Sequence, residues 1–329
     1  MTATGERPSS DPPGTLGSLG EIAVLQRIFP RLPAAATQLL GPGDDAAVLA
    51  TPDGRVVITT DMMIHGPDFR LAWSGPRDLG WKAAASNLAD VAAMGAVPTA
   101  LVVAFAAPSD TPVAFLEAFA DGLREGCQAM APGCGVVGGD LSVSSVFTIA
   151  VTAFGDLQDR APVLRSGARV GDVVAVSGPL GLAAQGLRLL FEHGLVDGEP
   201  DAAAAAQLAL EHPAAIAAQL RPHPPIADGR AAALAGASAM IDLSDGLALD
   251  ASRIAGASGV ALDLHATAAE LSGGEDHSLL ATFPAGTVLP GGFRPIGRVI
   301  AGAGVHADGT PYTRPGGWDP YSGWDGAAG

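Results

Sequence analysis

The sequence has few positive charges, and this shortage limits the partners that the chain can bind. Eighteen basic residues stand against 34 acidic ones, which gives a formal net charge of -16. Because nucleic acid and anionic membrane surfaces attract basic proteins, we expect neither as a partner. If the ligand is an anion, an acidic protein needs cations between itself and that ligand, and Mg2+ ions held by carboxylates are the usual means.

Cysteine and long hydrophobic runs are scarce as well. Cys127 and Cys134 are the only cysteines, and no further cysteine or histidine lies at metal-finger spacing, so we predict buried free thiols rather than a zinc site or a disulfide framework. No apolar run is long enough to cross a bilayer. Residues 1–18 are polar, lack the apolar core of a signal peptide and are predicted to be disordered. We therefore expect a cytoplasmic protein.

Common catalytic signatures are missing too. Residues 75–82 superficially suggest a P-loop, but Trp81 stands where lysine belongs and Lys82 where serine or threonine belongs. Gly302 and Gly304 follow a predicted strand but open no helix, which argues against a dinucleotide fingerprint. The chain has no G-x-S-x-G and no H-E-x-x-H pattern. Its seven histidines are scattered, and we expect each to be a surface or structural side chain.

The chain does contain short apolar runs that alternate with helical patterns, which is typical of α/β proteins. Strands are predicted at 46–49, 56–60, 99–105, 135–137, 147–154, 173–177, 239–242, 260–264, 278–282 and 293–299. Helices are predicted at 19–29, 77–94, 111–130, 182–190, 202–220, 226–234 and 246–255. The turn from Thr51 to Gly54 predicts that the first two strands form a β-hairpin. A polar stretch at 155–171 separates a domain at 19–157 from one at 158–329.

Acidic residues recur beside glycine where apolar strands are predicted to end, as at Asp61 and Asp140. The others are Asp44, Asp45, Asp242, Asp245, Glu275 and Asp276. Asp90 differs because it lies on the long predicted helix. A single aspartate in a loop is most often a turn former or helix cap. So many are more than turns require, and strand ends are where α/β proteins bind ligands. Several Mg2+ ions that bridge phosphates would suit this donor set.

Taken together, the motifs resemble those of the thiamine-monophosphate kinases over residues 20–321. They are LGPGDDAAVL, ITTDMMIHGPDF, GWKAAASNLADVAAMGAVP, GGD, LRSGARVGD, IDLSDGLALD, GGEDHSLL and GGWDPY. The resemblance implies a two-domain α/β fold like that of aminoimidazole ribonucleotide synthetase, with mixed and antiparallel sheets covered by helices. It also implies that N-terminal domains pair in a homodimer. The implied reaction converts ATP and thiamine monophosphate to ADP and thiamine diphosphate.

The same resemblance implies a role for each matching residue. The implied magnesium ligands are Asp45, Thr59, Thr60, Asp61, Asp90, Asp140, Asp242 and Asp245. The implied ATP contacts are Gly139, Asp140, Arg165 and Ser244, and the implied acceptor contacts are Glu275, Trp318 and the position of Asp68. Family members commonly carry histidine where this chain has Asp68, and His65 lies three positions earlier. No acid or base is assigned, because the acceptor's phosphate oxygen is already a nucleophile for in-line transfer.

Two alternative functions remain open. Selenophosphate synthetase and the hydrogenase-maturation dehydratase belong to the same superfamily, but they would call for a reactive N-terminal or C-terminal cysteine, respectively, and the sequence has neither. A noncatalytic protein that binds metal or nucleotide through the same acidic loops is the second alternative. ATP turnover that depends on the acceptor would separate an enzyme from such a binding protein.

Overall fold

The computed structural model of the chain describes residues 12–42, 46–313 and 317. The helices are α1 (Leu16–Leu19), α2 (Glu21–Ile28), α3 (Pro76–Ala93), α4 (Val113–Met130), α5 (Leu182–His193), α6 (Ala202–Glu211), α7 (Pro213–Leu220), α8 (Ile226–Leu234), α9 (Leu247–Ser258) and α10 (Ala268–Ser272). The strands are β1 (Gln38–Leu40), β2 (Val48–Leu49), β3 (Val57–Ile64), β4 (Val97–Ala107), β5 (Gly135–Val143), β6 (Thr148–Asp156), β7 (Val173–Ser177), β8 (Leu195–Val196), β9 (Glu199–Pro200), β10 (Ala239–Leu243), β11 (Ala261–Leu264), β12 (Ser278–Phe283), β13 (Arg294–Ile300), β14 (Gly304–Ala307) and β15 (Thr310–Pro311). A short 3-10 helix, Phe29–Arg31, follows α2.

The first large sheet has four strands in the order β3-β6-β4-β5. Only the β4/β5 pair is parallel. Helices α3 and α4 cover one face, and their apolar side chains form the core there. The predicted hairpin is wrong, because β2 pairs with β1 while β3 pairs with β6. The turn between β2 and β3 therefore joins two different sheets.

The second large sheet has seven strands in the order β10-β12-β7-β13-β11-β14-β15. All its pairs are antiparallel except β11/β14. Helix α9 packs on this sheet above a second apolar core. The two sheets together give the mixed and antiparallel α/β architecture that the sequence predicted. The first sheet ends at Asp156 and the second begins at Val173, and a division into domains between them stays a prediction.

Helix α3 joins the two halves of the molecule. It is buried on nearly all sides, because it packs against β3 and β6, against α4, and against α8 and β10 from the second half. Close approach depends on glycine at two of these contacts. A Cβ on Gly122 of α4 would lie 2.1 Å from the carbonyl oxygen of Arg77, and one on Gly229 of α8 would lie 2.1 Å from that of Ala92. Side chains on α3 are thus held where the two halves meet.

Several predicted boundaries change in the structure. β3 continues past Asp61 to Ile64, and β5 continues past Asp140 to Val143, so neither aspartate ends its strand. The predicted helix at 202–220 is two helices that meet at His212. Pro213 suits the first turn of α7 but cannot extend α6, because it has no backbone N–H to donate. Among the described residues, no helix is both long and apolar enough to cross a membrane.

Candidate active site

Two carboxylates of the first half lie on neighbouring elements that face the second half. Asp61 is on β3 and Asp90 is near the C-terminal end of α3, where its Oδ2 accepts a hydrogen bond of 2.7 Å from Thr59 Oγ1. Burial raises the pKa of Asp90 to about 7, and repulsion from Asp242 and Asp61 adds to the effect. Burial also raises the pKa of Asp61, again with repulsion from Asp242. The charge of His277 lowers the pKa of both acids but does not outweigh their burial.

Asp242 brings the second half of the molecule to this cluster. It lies near the end of β10, the edge strand that contacts α3, and its side chain is 7% exposed. The ring of His277 lies beside it, with Nδ1 at 3.3 Å from Oδ2 of Asp242. Burial opposes protonation of His277, but the hydrogen bond and the charge of Asp242 outweigh it and raise its pKa. The burial of His277 was not predicted, and its position directly after the GGED motif is the one signal that could have indicated it.

The turn that follows β10 is built by acids whose charges the protein itself matches. Asp245 Oδ2 accepts a hydrogen bond of 2.6 Å from Arg253 Nη2. Asp250 is fully buried, pairs with Arg253 and accepts hydrogen bonds from the backbone amides of Asp245 (3.1 Å) and Gly246 (3.2 Å). Burial and the charge of Asp242 raise the pKa of Asp250 to about 7, against the effect of Arg253. Asp250 thus shapes the turn that carries Ser244.

The loop from Gly273 to His277 lies against this turn. The backbone amide of Glu275 donates to the carbonyl oxygen of Ser244 at 2.8 Å, and Glu275 adopts φ +69°, which is rare for a side chain other than glycine. Its carboxylate forms an ion pair with Lys82 of α3. Asp276 instead caps α5, because it accepts hydrogen bonds from the amides of Gly181 (2.5 Å) and Ala183 (2.8 Å). The two neighbouring acids therefore differ in role.

A cavity of about 640 Å³ opens between the two halves. It is lined by Thr59 and Asp90 from the first half and by Asp242 and Arg165 from the second. Arg55 also lines it, and the sequence did not single out this residue. Four residues that the resemblance assigned to magnesium or ATP thus share one cavity, with acids in its wall and guanidinium groups beside them.

The position that departs from the family pattern lies on the same side of the molecule as Glu275. Asp68 accepts a hydrogen bond of 2.7 Å from the backbone amide of Ile64, which fixes the loop after β3. Burial raises the pKa of Asp68, and the charge of Glu275 adds to this, while the amide and Lys82 oppose it. The ring of His65 packs near Phe69 at 5.6 Å between centroids. Trp318 lies outside the described residues.

Several of the implied residues do not line this cavity, and Thr60, Gly139 and Asp140 lie away from it. Thr60 follows Thr59 on a strand and so points to the opposite face, where its hydroxyl donates to the carbonyl oxygen of Val151. Gly139 and Asp140 line a different cavity, of about 550 Å³, together with Pro42. Asp45 belongs to residues 43–45, which lie outside the described part of the chain.

The strand order explains why Asp140 is remote. β5 and β3 are opposite edges with two strands between them, which separates them by about 14 Å. Asp140 is aligned with Ala104 of β4, and Ala104 with Ala150 of β6. Ala150 is aligned with Met62 of β3, whose side chain is 59% exposed on the uncovered face. Asp61, the residue before Met62, points to the other face, so Asp140 and Asp61 differ in both edge and face.

The donor set fits Mg2+, although the described residues do not converge on one ion. Among residues 12–42, 46–313 and 317, no three Asp, Glu, His or Cys side chains come close enough to form a metal site. Asp61, Asp90 and Asp242 nevertheless offer carboxylate oxygens, which hard divalent cations prefer. Burial first and mutual repulsion second raise the pKa values of Asp61 and Asp90, and a bound cation would relieve both effects.

Comparisons with known proteins show the family of the chain. Residues 43–157 match the family model of the AIR synthase related protein, N-terminal domain. Thiamine-monophosphate kinase of Mycobacterium tuberculosis is 46% identical over 329 residues, which cover 93% of each chain. The crystal structure of thiamine-monophosphate kinase from Stenotrophomonas maltophilia K279a superposes with a TM-score of 0.75 at 31% identity, covering 89% of this chain and 98% of that one. AaThiL complexed with AMPPCP and TMP has a TM-score of 0.71 at 32% identity, covering 92% and 97%. The chain belongs to the thiamine-monophosphate kinase family.

Proposed function

We propose that the protein transfers the terminal phosphoryl group of ATP to thiamine monophosphate, giving ADP and thiamine diphosphate. The observation that carries the proposal is the cavity between the two halves, where Asp90, Asp242 and Arg165 meet in a chain of this family. The related AaThiL structure is complexed with AMPPCP and TMP, an ATP analogue and the acceptor, and this supports the same pair of ligands here.

We further propose that the site works with Mg2+, which supplies neutralisation of phosphate charge when bound. Asp61, Asp90 and Asp242 are the residues of the cavity region that would hold it, with Asp245 and Thr59 beside them. Arg165 lies at the cavity wall, where a guanidinium can pair with phosphate oxygens. The acidic wall alone would repel both anionic substrates. The protein's own contribution is therefore to fix the positions of donors and substrates in advance.

We assign no acid or base to the transfer. The terminal phosphate of thiamine monophosphate carries ionised oxygens near neutral pH, so its attack in line with the leaving ADP needs no proton removal. His277 is buried against Asp242 and so is already committed to that carboxylate. This account predicts that unphosphorylated thiamine, whose hydroxyl would have to lose a proton, is a poor acceptor.

We also propose a homodimer in which the first sheets pair and Asp140 of one copy faces the cavity of the other. The open face of the sheet exposes Ile58 (58%) and Met62 (59%), apolar side chains that a partner would cover. The position of Asp140 supports the same arrangement, because it lies on the opposite edge and face of the sheet from Asp61. A second copy could place its Gly139 and Asp140 at the cavity, which the same chain cannot do.

A cytoplasmic site of action completes the proposal. Its supports are the need for ATP and the free state of Cys127 and Cys134, both of which are buried.

The direct test is an assay with purified protein, ATP, Mg2+ and thiamine monophosphate, in which thiamine diphosphate is measured by chromatography. We expect product that requires all three additions and little or none when thiamine replaces its monophosphate. ATP binding without acceptor-dependent turnover would favour a noncatalytic nucleotide-binding protein. Vigorous phosphorylation of thiamine but not of its monophosphate would contradict the assignment.

A further inference from the structure

Lys82 is the only lysine in the 329 residues, and the other 17 basic residues are arginines. At most surface positions either side chain supplies the needed positive charge. The two differ where a compact ammonium must fit a closed space, because the guanidinium is larger, planar and fixed in its donor geometry. The single use of lysine therefore suggests that the space around position 82 requires an ammonium group.

Those surroundings are closed and fully polar at the tip. Lys82 lies on α3 with its side chain 8% exposed, and its ammonium pairs with the carboxylate of Glu275. It also donates to the backbone carbonyl of Gln219 on α7 at 3.3 Å. When the Gln219 amide is oriented to satisfy both of its ends, its nitrogen donates to the carbonyl of Ala183 (3.0 Å) and its oxygen accepts from Lys82 (3.2 Å). Three acceptors thus use all three donors of the ammonium.

The ion pair with Lys82 fixes the position of the Glu275 side chain in the cleft. Glu275 keeps 36% of its side-chain surface exposed while its backbone is held at positive φ by the bond to Ser244. The carboxylates of Asp61 and Asp68 interact repulsively with it. Without an opposite charge in contact, Glu275 would be driven away from this acidic wall.

We propose that Lys82 is a positioning residue that holds Glu275 in place as an anion, so that Glu275 can recognise the cationic or amino-bearing ring of the acceptor. This inference rests on the proposed function, because it takes thiamine monophosphate as the acceptor. Lys82 itself has no donor left for the acceptor's phosphate while the three contacts persist. Arginine would not replace it, since α7 closes the space and the buried Gln219 occupies its end.

Steady-state kinetics of four variants test the inference. Lys82→Met and Lys82→Arg should each raise the KM for thiamine monophosphate by about tenfold or more and leave the KM for ATP within about twofold. Glu275→Gln should have a similar effect. The double variant Lys82→Met/Glu275→Gln should be no worse than Glu275→Gln alone, because a positioning residue acts only through its partner. Additive losses would mean that Lys82 binds substrate directly, and would overturn the proposal.

Arg77→Met is the matched control. Arg77 lies on the same helix and forms an ion pair with Glu125 at 2.8 Å, outside the cleft. Its loss removes one cation from α3 and should leave both KM values unchanged. If Arg77→Met raised the acceptor KM as much as Lys82→Met does, the effect would belong to helix packing or net charge, and the proposal would fail.

The single lysine also allows a measurement that needs neither turnover nor a folded variant at position 82. Protein labelled with 15N only in lysine should give one ammonium signal. Glu275→Gln should move it in the ligand-free protein, and thiamine monophosphate should move it in the wild type, whereas AMPPCP alone should move it much less. A signal unmoved by both Glu275→Gln and thiamine monophosphate would overturn the proposal. If the signal moves with Glu275→Gln but no thiamine diphosphate forms, the ion pair stands and the proposed function is what fails.

Discussion

The two walls of the cleft handle their carboxylates in opposite ways. On the second-half wall, Asp250 and Asp276 each accept two backbone amides, and Asp245 pairs with Arg253. On the first-half wall, Asp90 accepts one hydroxyl while burial and neighbouring carboxylates raise its pKa to about 7. Acids that are hydrogen-bonded to backbone amides or paired with arginine shape loops. Acids that repel one another, such as Asp61 and Asp90, form an environment that favours a cation. Sequence motifs do not separate these two groups.

The largest expected effect comes from replacing one of the acids that repel one another, Asp90. Asp90→Asn should lower turnover by about a thousandfold or more, because under the proposed mechanism it would remove a Mg2+ ligand and with it charge stabilisation during transfer. Asp78, on the same helix, is matched: it accepts from the amide of Gly75 at 3.0 Å and pairs with Arg221. Asp78→Asn should therefore keep near-wild-type turnover. Wild-type rates for Asp90→Asn at saturating Mg2+ would show that Asp90 is a structural residue.

The second prediction uses the separation between Asp90 and Asp140. Each of Asp90→Asn and Asp140→Asn should be inactive alone, yet a mixture that exchanges subunits should recover about a quarter of wild-type activity, since half of the dimers are then mixed and hold one intact site. The two proteins would be unfolded and refolded together, and the activity of the refolded mixture would then be measured. A mixture of Asp90→Asn with Asp242→Asn is the control, because both residues come from the same chain and no site is restored. No recovery in the Asp90/Asp140 mixture would contradict a site shared between two copies.

The third prediction concerns stability without ligand. Asp90 binds its proton with a pKa of about 7 when folded and 3.8 as an unperturbed group, so the folded state holds more protons between these values. The contribution of Asp90 to the free energy of unfolding therefore falls as pH rises from about 4 to about 7. Asp90→Asn should raise the melting temperature by a few degrees at pH 8 and by less at pH 5. Calorimetry at both pH values checks this, and a lower melting temperature at pH 8 would show that ionised Asp90 stabilises the fold.

Most elements of the fold could be predicted, and the error in the first hairpin shows why some could not. Val173–Ser177 and Ile226–Leu234 have the predicted bounds, because apolar period and flanking Gly and Pro define them locally. The partner of β3 is β6, about ninety residues later along the chain. No local pattern encodes a pairing over that distance, and the short turn after β2 therefore predicts, wrongly, that β3 pairs with β2.

The site was predicted in its residue types but not in its geometry. Strand alternation alone could have shown that Thr59 and Thr60 cannot share one face. The burial of His277 and Lys82 arises from contacts between α3, β10 and the loop after Gly273, which only the folded chain brings together. The one sequence feature that could have indicated the burial of Lys82 is its position in a stretch of α3 that otherwise contains apolar and small residues. Asp140 required the strand order, since its motif looks like the others.

The last and smallest expected effect concerns Asp68, where the chain departs from its family. Its carboxylate is already used, because it accepts the amide of Ile64 and so closes the loop after β3. An anion at this point cannot favourably meet the acceptor's phosphate, since like charges repel and the charge of Glu275 also acts there. Its role is then to shape the loop, or at most to face the positive ring of the acceptor.

Asp68→Ala should accordingly change the KM for thiamine monophosphate by less than about tenfold, which is less than about 1.4 kcal/mol, and leave the KM for ATP nearly unchanged. Asp68→Asn is the matched variant, because its amide oxygen can still accept from Ile64 while the charge is gone. If loop shape is what matters, Asn should behave as wild type and Ala should show the small loss. If Asn and Ala are equally impaired, the charge faces the ring. Loss of turnover at saturating acceptor in both variants would contradict either role and would make Asp68 part of the catalytic centre.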